Sequence, residues 1–148
     1  MAKVIHIAIS RTFKSKMKSV NSAESIAGKG IINDRHFKEN NEKKSQITLI
    51  EIESINHYNK IAGTSISPIN FRRNIITEGI KLNDLVEREF FIGKVKVKAH
   101  DLCRPCKYLE KSLNQKNFVK ELLRKGGLRC EILTNGEIFV GDEIKNYT

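Results

Sequence analysis

The sequence is short of long apolar runs, cysteines and aromatic residues, and each shortage excludes a class of protein. No apolar run approaches the roughly 18 residues of a transmembrane helix, and the N-terminal MAKVIHIAIS lacks the features of a signal peptide. The three cysteines are an odd number, which favours free thiols or metal ligands over structural disulfides. We therefore expect a soluble, cytoplasmic protein with no membrane partner.

Acidic residues are also scarce, since 17 Asp and Glu face 27 Lys and Arg, for a formal charge of +10. This balance favours anionic partners: nucleic acid, phosphorylated small molecules or acidic proteins. Lysine outnumbers arginine 19 to 8, a mixture typical of general compositional drift. Arginine positions are more informative, because the guanidinium fork matches phosphate oxygens. Few aromatic residues interleave the lysines, so the pattern does not favour nucleic acid.

The chain length fits one domain, and no linker, repeat or low-complexity tract divides residues 1–148. Short β-branched segments alternate with turn signals, which predicts a mixed, predominantly β fold. We expect a β-barrel or curled sheet decorated by about three helices. The predicted strands are residues 3–10, 46–50 and 69–76, a hairpin over 89–99 across Gly93, and a closing hairpin of 128–133 and 137–144 around Asn135-Gly136. The predicted helices are residues 51–61, 107–113 and 117–125.

The first candidate site is the segment Cys103-Arg104-Pro105-Cys106. Proline favours the first position of a helix, which would place Cys106 in the first helical turn. Unpaired N–H groups there favour a thiolate, the form in which cysteine ligates a soft metal or acts as a sulfur nucleophile. We therefore predict Cys106 as the essential thiol and Cys103 as its assistant. The alternative is a pair of small buried residues in a loop.

The second candidate site is Phe71-Arg72-Arg73-Asn74-Ile75. If this segment is a strand, Arg72 and Asn74 share one face and Arg73 lies on the other. A guanidinium beside an amide suits a phosphate or a polar heterocycle, whereas the alternative is a solvated sheet edge. A third candidate, Asp34-Arg35-His36, follows two glycines, and His36 there fits a ligand, a base or a surface residue.

Taken in order, several segments resemble the motifs of MOSC domains, a family named for the C-terminal domain of molybdenum cofactor sulfurase. The matching segments are residues 30–36, 46–51, 71–79 and 91–93, Pro105-Cys106 with Leu109, and residues 126–128 and 136–142. Each motif is weak alone, but the ordered set covers nearly the whole chain. The size is similar to that of the small stand-alone bacterial members.

The resemblance implies a MOSC-type β-barrel and a role with the molybdenum cofactor, molybdopterin. It implies that Cys106, the cysteine after proline, carries sulfur or ligates molybdenum. In the resemblance, an arginine-rich strand holds the pterin phosphate, and the segment of residues 30–36 adds a further binding residue. The residues matched to cofactor binding are Arg72, Arg73, Asn74, Thr77 and His36. The ligand expected from the resemblance is therefore an anionic, pterin-type molecule.

The sequence shows no pyridoxal-phosphate desulfurase domain and no iron–sulfur module. Any sulfur or electrons would therefore come from a donor protein. The resemblance leaves open whether the domain is a sulfur transferase, a component of a molybdenum-dependent oxidoreductase or a carrier.

Two other interpretations of the cysteines remain open at this point. C-x-P-C at a helix start is typical of thiol-disulfide redox proteins, although these place it after an early strand in a βαβ unit. A zinc-stabilised binding module is the other, because four residues form a possible Cys₃His set. These four residues are His100, Cys103, Cys106 and Cys130.

Overall fold

The computed structural model describes residues 1–104 and 107–146, which form eleven strands and three α-helices. The strands are β1 (Lys3–Ile9), β2 (Lys18–Val20), β3 (Ser22–Ile26), β4 (Gly30–Ile31), β5 (Ile47–Glu51), β6 (Ile75–Glu78), β7 (Glu89–Ile92), β8 (Val95–Leu102), β9 (Leu128–Ile132), β10 (Gly136–Phe139) and β11 (Ile144–Asn146). The helices are α1 (Ile52–Ala62), α2 (Lys107–Ser112) and α3 (Phe118–Glu121). The predominantly β fold class with about three helices is thus confirmed. No helix in these residues is long and apolar enough to cross a membrane.

Eight of the strands form one curled half-barrel sheet in the order β11-β7-β8-β9-β5-β6-β1-β2, and the other three form a second sheet, β10-β3-β4. Neighbouring strands in the described residues pair antiparallel, except β5 and β6, which run parallel. A parallel pair needs a crossover connection, and α1 lies between β5 and β6 in the chain. The crossover returns the chain to the sheet centre just before β6, where two arginines stand side by side.

The alternation of side chains along β8 shows why these strands form. Val95, Val97 and Ala99 are fully buried, whereas the lysines between them are half-buried. This period of two matches a strand that packs one face on the core. A second apolar cluster lies under α1, where Tyr58 and Phe118 meet edge to face with ring centroids 5.2 Å apart. The two clusters hold the sheet and its helices around the cavity described below.

Where local signals are strong, the predicted elements are found. The hairpin across Gly93 is present, with Ile92 opposite Val95 in the β7–β8 pair. The predicted helix 51–61 is α1, and Gly63 in the left-handed region ends it. The third predicted helix is shorter than expected, because α3 covers only Phe118–Glu121.

The predicted closing hairpin around Asn135-Gly136 is wrong. β9 lies between β8 and β5, whereas β10 pairs with β3 of the second sheet. A type I′ turn needs positive φ at both central residues, and neither Asn135 nor Gly136 has it. Instead, Asn135 Oδ1 accepts a hydrogen bond from the Ala27 N–H at 2.7 Å, so the residue before β10 bonds to the turn after β3, the strand with which β10 pairs.

The predicted strand over residues 69–76 is also wrong in its first half. Residues Pro68–Phe71 form a 3₁₀ turn, and the strand begins only at Ile75. Arg72 closes the turn in the left-handed conformation, with φ of 63° and its N–H bonded to the Ile69 carbonyl. Proline at the start of the turn favours this local path. The shared strand face expected for Arg72 and Asn74 therefore does not form.

Candidate anion-binding cavity

A cavity of about 540 Å³ opens where β5, β9 and the end of β8 meet the loops before β2 and β6. Its basic lining residues are Lys14, Arg35, Arg72, Arg73, Arg104 and Arg129. Five of the eight arginines thus gather here, against one of the 19 lysines. None of the described residues that line it is acidic. The lysines fit compositional drift, whereas the clustered guanidiniums have the shape and charge that suit an anion.

Arg72 and Arg73 both line the cavity because the chain turns between them. In a strand they would point to opposite faces, but the left-handed conformation of Arg72 brings both toward the same space. Arg72 donates to the carbonyl oxygens of Ser15 (2.9 Å) and Phe13 (3.0 Å). Arg73 donates from Nε to the Gly126 carbonyl at 2.9 Å. Each guanidinium has five N–H donors, so each keeps donors for a ligand.

Strand β9 and the end of strand β8 supply two further arginines. Arg129 lies opposite Thr48 in the β5–β9 pair, and both line the cavity. Its Nε donates to the Lys44 carbonyl at 3.0 Å, which fixes the side chain against the 3₁₀ turn before β5. Arg104 follows the end of β8 and is exposed. Three of the guanidiniums are therefore oriented largely by main-chain carbonyls, which hold them without neutralising their charge.

Arg35 is the exception, because it forms a buried ion pair with its neighbour Asp34. The contact from Nη1 to Oδ1 is 3.2 Å, and the two side chains are 5% and 0% exposed. Asp34 also accepts hydrogen bonds from the backbone N–H groups of Ser10 and His36. Burial by itself raises the pKa of Asp34, but contact with the His36 side chain, the charge of Arg35 and the hydrogen bond from the Ser10 N–H outweigh it and lower the pKa.

The guanidiniums also repel one another. Burial lowers the pKa of Arg35, Asp34 opposes that effect, and the charges of Arg72 and Arg73 lower the pKa further. Since arginine stays protonated in proteins, the result is stored repulsion rather than loss of charge. An anion in the cavity would relieve it.

Cys103 brings a thiol to the same cavity. It is 4% exposed, directly follows β8, and its N–H donates to the Gly127 carbonyl at 2.7 Å. Burial raises the pKa of the thiol, and the charges of Arg73 and Arg129 act in the opposite direction. Cys103 is therefore mainly a neutral thiol at neutral pH. Pro105 and Cys106 lie outside the described residues, although α2 begins directly after them at Lys107.

His36 lines the cavity together with Phe13. Its Nδ1 lies 3.3 Å from Asp34 Oδ2 but without hydrogen-bond alignment. The rings of His36 and Phe13 meet edge to face, with centroids 5.5 Å apart. His36 thus lies beside the arginine cluster, and its assignment to cofactor binding, which the family resemblance implies, stays a prediction.

Asn74 and Thr77, which the family resemblance also assigns to cofactor binding, are fully buried. The Asn74 side chain bonds to Thr48 and to the Ala8 carbonyl, and Thr77 Oγ1 donates to the Ile50 carbonyl at 3.4 Å. The structure therefore brings Arg72, Arg73, His36 and Cys103 together around the cavity, while Asn74 and Thr77 are buried and are not among its lining residues.

Sequence reasoning missed several lining residues. Arg35 belongs to the candidate segment Asp34-Arg35-His36, and Arg104 lies between the two cysteines of the first candidate segment. Both arginines could therefore have been identified from the sequence. Phe13 and Lys14 lie in a basic loop whose sequence is typical of a solvent-exposed segment, and Arg129 lies in a strand that carries no functional motif. Strand pairing brings Arg129 to the site, and the hydrogen bonds from Arg72 to the Phe13 and Ser15 carbonyls hold the loop that carries Phe13 and Lys14 there.

The residues of the possible zinc set are only partly described. His100 Nε2 lies 2.8 Å from Glu131 Oε1, and Cys130 is fully buried. Within residues 1–104 and 107–146, no group of three or more His, Cys, Asp or Glu side chains could hold a metal. The C-x-P-C segment follows β8, an antiparallel strand late in the chain, rather than an early strand of a βαβ unit.

Comparison with known proteins places the chain in a family. The family model described as the MOSC domain matches residues 33–145. The chain belongs to the MOSC domain family. This family is associated with molybdenum-cofactor binding and with sulfurase-type proteins. A search of curated proteins gives no match.

Solved structures show the same MOSC fold. The YuaD protein from Bacillus subtilis superposes with a TM-score of 0.82 at 21% identity, over 99% of this chain and 97% of its own. YiiM from Geobacillus stearothermophilus has a TM-score of 0.78 at 16% identity, over 100% of this chain and 76% of its own. YiiM from Escherichia coli has a TM-score of 0.70 at 12% identity, over 97% of this chain and 69% of its own. At these identities the likeness establishes the fold alone.

Proposed function

We propose that this MOSC domain binds the anionic, pterin-type molybdenum cofactor in the arginine cavity, beside a cysteine that carries sulfur or ligates molybdenum. One observation carries the proposal: five of eight arginines line a single cavity that also contains a thiol, with no acidic side chain among the described lining residues. Charge-assisted, bidentate hydrogen bonds make such a cluster suited to phosphate.

The residues present fit a ligand of this kind. The volume of about 540 Å³ is within the usual range for small-molecule sites, about 300–1,000 Å³. Arg72, Arg73 and Arg129 are oriented before any ligand arrives, since backbone carbonyls already hold them. Preorganisation of this kind lowers the entropic cost of binding. When bound, the cofactor would supply a metal that accepts soft sulfur ligands.

The guanidiniums and the thiols have different proposed roles. The guanidiniums hold the phosphate and compensate its charge, and Arg73 and Arg129 also lie close enough to Cys103 to act on its thiol. We propose Cys106 as the essential thiol, because it is the cysteine that matches the family's proline-cysteine motif. Cys103 is the assistant on the cavity wall. A sulfur-donor or electron-donor protein is the proposed partner.

The experiment identifies the molecule released when the protein is denatured after purification from cells that make molybdenum cofactor. We expect a pterin and molybdenum in stoichiometric amounts, and neither in protein from matched cells that cannot make the cofactor. Arg73→Gln should lose most of the released pterin, because it removes a fixed charge from the cavity. Arg88→Gln is the matched control, since Arg88 is exposed and lies outside this cavity.

Three outcomes would overturn the proposal. The first is wild-type protein from cofactor-producing cells that releases no pterin and no molybdenum. The second is equal release from Arg73→Gln and Arg88→Gln, which would show that the arginine cavity is not the binding site. The third is stoichiometric zinc in place of molybdenum, which would favour the zinc-stabilised module.

A further inference from the structure

We infer that Phe13 stacks on the planar ring of the bound heterocycle, so that the turn it belongs to selects a ring while the arginines select charge. The inference deepens the proposed function and rests on it for the identity of the ligand. It assigns a ligand-contacting residue in a segment that carries none of the family motifs.

The side chain of Phe13 is unusually placed for its chemistry. It is 65% exposed, yet it lines a cavity whose other lining residues are mostly cationic. The ring of Phe13 meets the ring of His36 edge to face, at an interplanar angle of 82°, and this contact restricts the orientation of the Phe13 ring. A lone exposed apolar residue needs no explanation, but this one stands at the mouth of a preformed polar site. Aromatic side chains in such positions stack on planar ligands.

The backbone around Phe13 is held rigidly by a closed turn. The Thr12 N–H donates to Ser15 Oγ at 3.1 Å, and the Ser15 N–H donates back to Thr12 Oγ1 at 3.0 Å. Ser10 Oγ adds a hydrogen bond to the Thr12 carbonyl at 2.8 Å. These bonds satisfy the turn internally and leave the Phe13 ring outside it. The turn therefore fixes the backbone from which the ring projects, and the contact with His36 orients the ring itself.

Arg72 connects this turn to the anion site. One guanidinium nitrogen donates to the Ser15 carbonyl and the other to the Phe13 carbonyl, on the two sides of Lys14. The same guanidinium lines the cavity. The backbone of Phe13 is therefore held at the Arg72 guanidinium, so the ring and the charge cluster are presented to a ligand side by side. That geometry favours a planar heterocycle that carries a phosphate over either part alone.

The test compares two probes, 6-hydroxymethylpterin phosphate and inorganic phosphate, by calorimetric titration. Phe13→Leu keeps an apolar side chain but removes the ring, and should weaken binding of the pterin phosphate about tenfold, as loss of one stacking contact does. It should leave the affinity for inorganic phosphate unchanged. Phe13→Tyr keeps the ring and should bind both probes like the wild type.

Phe139→Leu is the matched control, because Phe139 is another exposed phenylalanine, 48% exposed on β10, and does not line this cavity. It should bind both probes like the wild type. If Phe13→Leu binds pterin phosphate within twofold of the wild type, or loses both probes equally, the inference is wrong while the anion site stands. If wild-type protein binds neither probe, the proposed function itself fails. Thermal melting of each variant confirms that it folds.

Discussion

Thr48 and Asn74 hydrogen-bond to each other in both directions beneath the arginine cavity. The Thr48 N–H donates to Asn74 Oδ1 at 3.1 Å, and the Asn74 N–H donates to Thr48 Oγ1 at 3.1 Å. Asn74 Nδ2 adds a bond to the Ala8 carbonyl at 3.2 Å. This one amide thus joins β5, β1 and the segment that carries Arg72 and Arg73. We therefore propose that Asn74 positions the segment that carries the two arginines.

Asn74→Ala should therefore destabilise the protein. It leaves buried donors and acceptors unsatisfied, which costs about 3 kcal/mol in the free energy of unfolding. Urea denaturation measures the effect. Asn40→Ala, at an exposed position, should change stability by less than about 0.5 kcal/mol. A variant at 74 that keeps full stability but loses the ligand would restore the ligand-binding role that the sequence pattern predicts.

Gly127 should tolerate no side chain. It has φ of +105°, and an added Cβ would overlap the Leu49 carbonyl oxygen on the neighbouring strand. We expect Gly127→Ala to be insoluble or to lose more than about 4 kcal/mol of stability, because backbone atoms cannot yield as a flexible side chain can. Gly28 has φ of +75° with nothing within 4 Å of an added Cβ, so Gly28→Ala should cost only about 1 kcal/mol. Soluble yield and melting temperature distinguish the two, and equal effects would contradict the steric explanation.

Stability should depend on pH through Asp34. The folded state lowers the pKa of this carboxyl below its usual value of 3.8. Its contribution is therefore present above pH 3.8 and is lost as the pH falls through the lower, folded-state value. Asp34→Asn should be less stable at neutral pH by about 3 kcal/mol, since it leaves the buried Arg35 without its partner. Its stability should also fall less steeply in acid.

The control for this pH dependence is Asp84→Asn, which changes an exposed carboxylate. It should keep both the wild-type stability at neutral pH and the wild-type slope in acid. Denaturant titrations at neutral pH and at about pH 3 provide the comparison. A steeper acid slope in Asp34→Asn than in the wild type would contradict the direction of the shift.

The two cysteines of the C-R-P-C segment should differ in function. Cys106→Ser should abolish retention of cofactor sulfur, whereas Cys103→Ser should only reduce it, because the Cys103 thiol is buried and mainly protonated at neutral pH. Cyanide-labile sulfur and bound molybdenum measure retention. Cys130→Ala is the control, since this fully buried thiol lies outside the cavity lining. Full retention in Cys106→Ser with loss in Cys103→Ser would reverse the assignment, and full retention in both would remove the thiol from the proposal.

The parts of the fold that local chemistry determines could be predicted from the sequence. Strict alternation along β8, the turn at Gly93 and the helix stop at Gly63 each depend on residues close in the chain. The closing hairpin could not be predicted, because the pairing of β10 with β3 joins residues more than 100 positions apart and overrides a local turn signal. The prediction of a strand directly before β6 was wrong for a different reason, because apolar residues in a 3₁₀ turn resemble the apolar residues of a strand.

The candidate site follows the same division. Motifs in the sequence indicated four residues that line the cavity, namely Arg72, Arg73, His36 and Cys103. The prediction that residues 69–76 form one strand wrongly placed Asn74 on the same face as Arg72. Arg129 and Phe13 carry no local signal, because only the register of β9 against β5 and a hydrogen bond from Arg72 bring them to the cavity. Residue type could indicate charge and thiol chemistry, but not which buried groups support them.

The way the guanidiniums are held affects how this site tolerates mutation. Arg72, Arg73 and Arg129 are oriented by the carbonyl oxygens of residues such as Ser15, Gly126 and Lys44. A main-chain acceptor persists whatever side chain the residue bears, provided that the chain keeps its path. Substitutions that leave the backbone path of these supporting segments unchanged can therefore accumulate without moving the arginines, while a one-residue insertion there would displace them. A library with substitutions around the cavity should retain anion binding far more often than one with insertions and deletions.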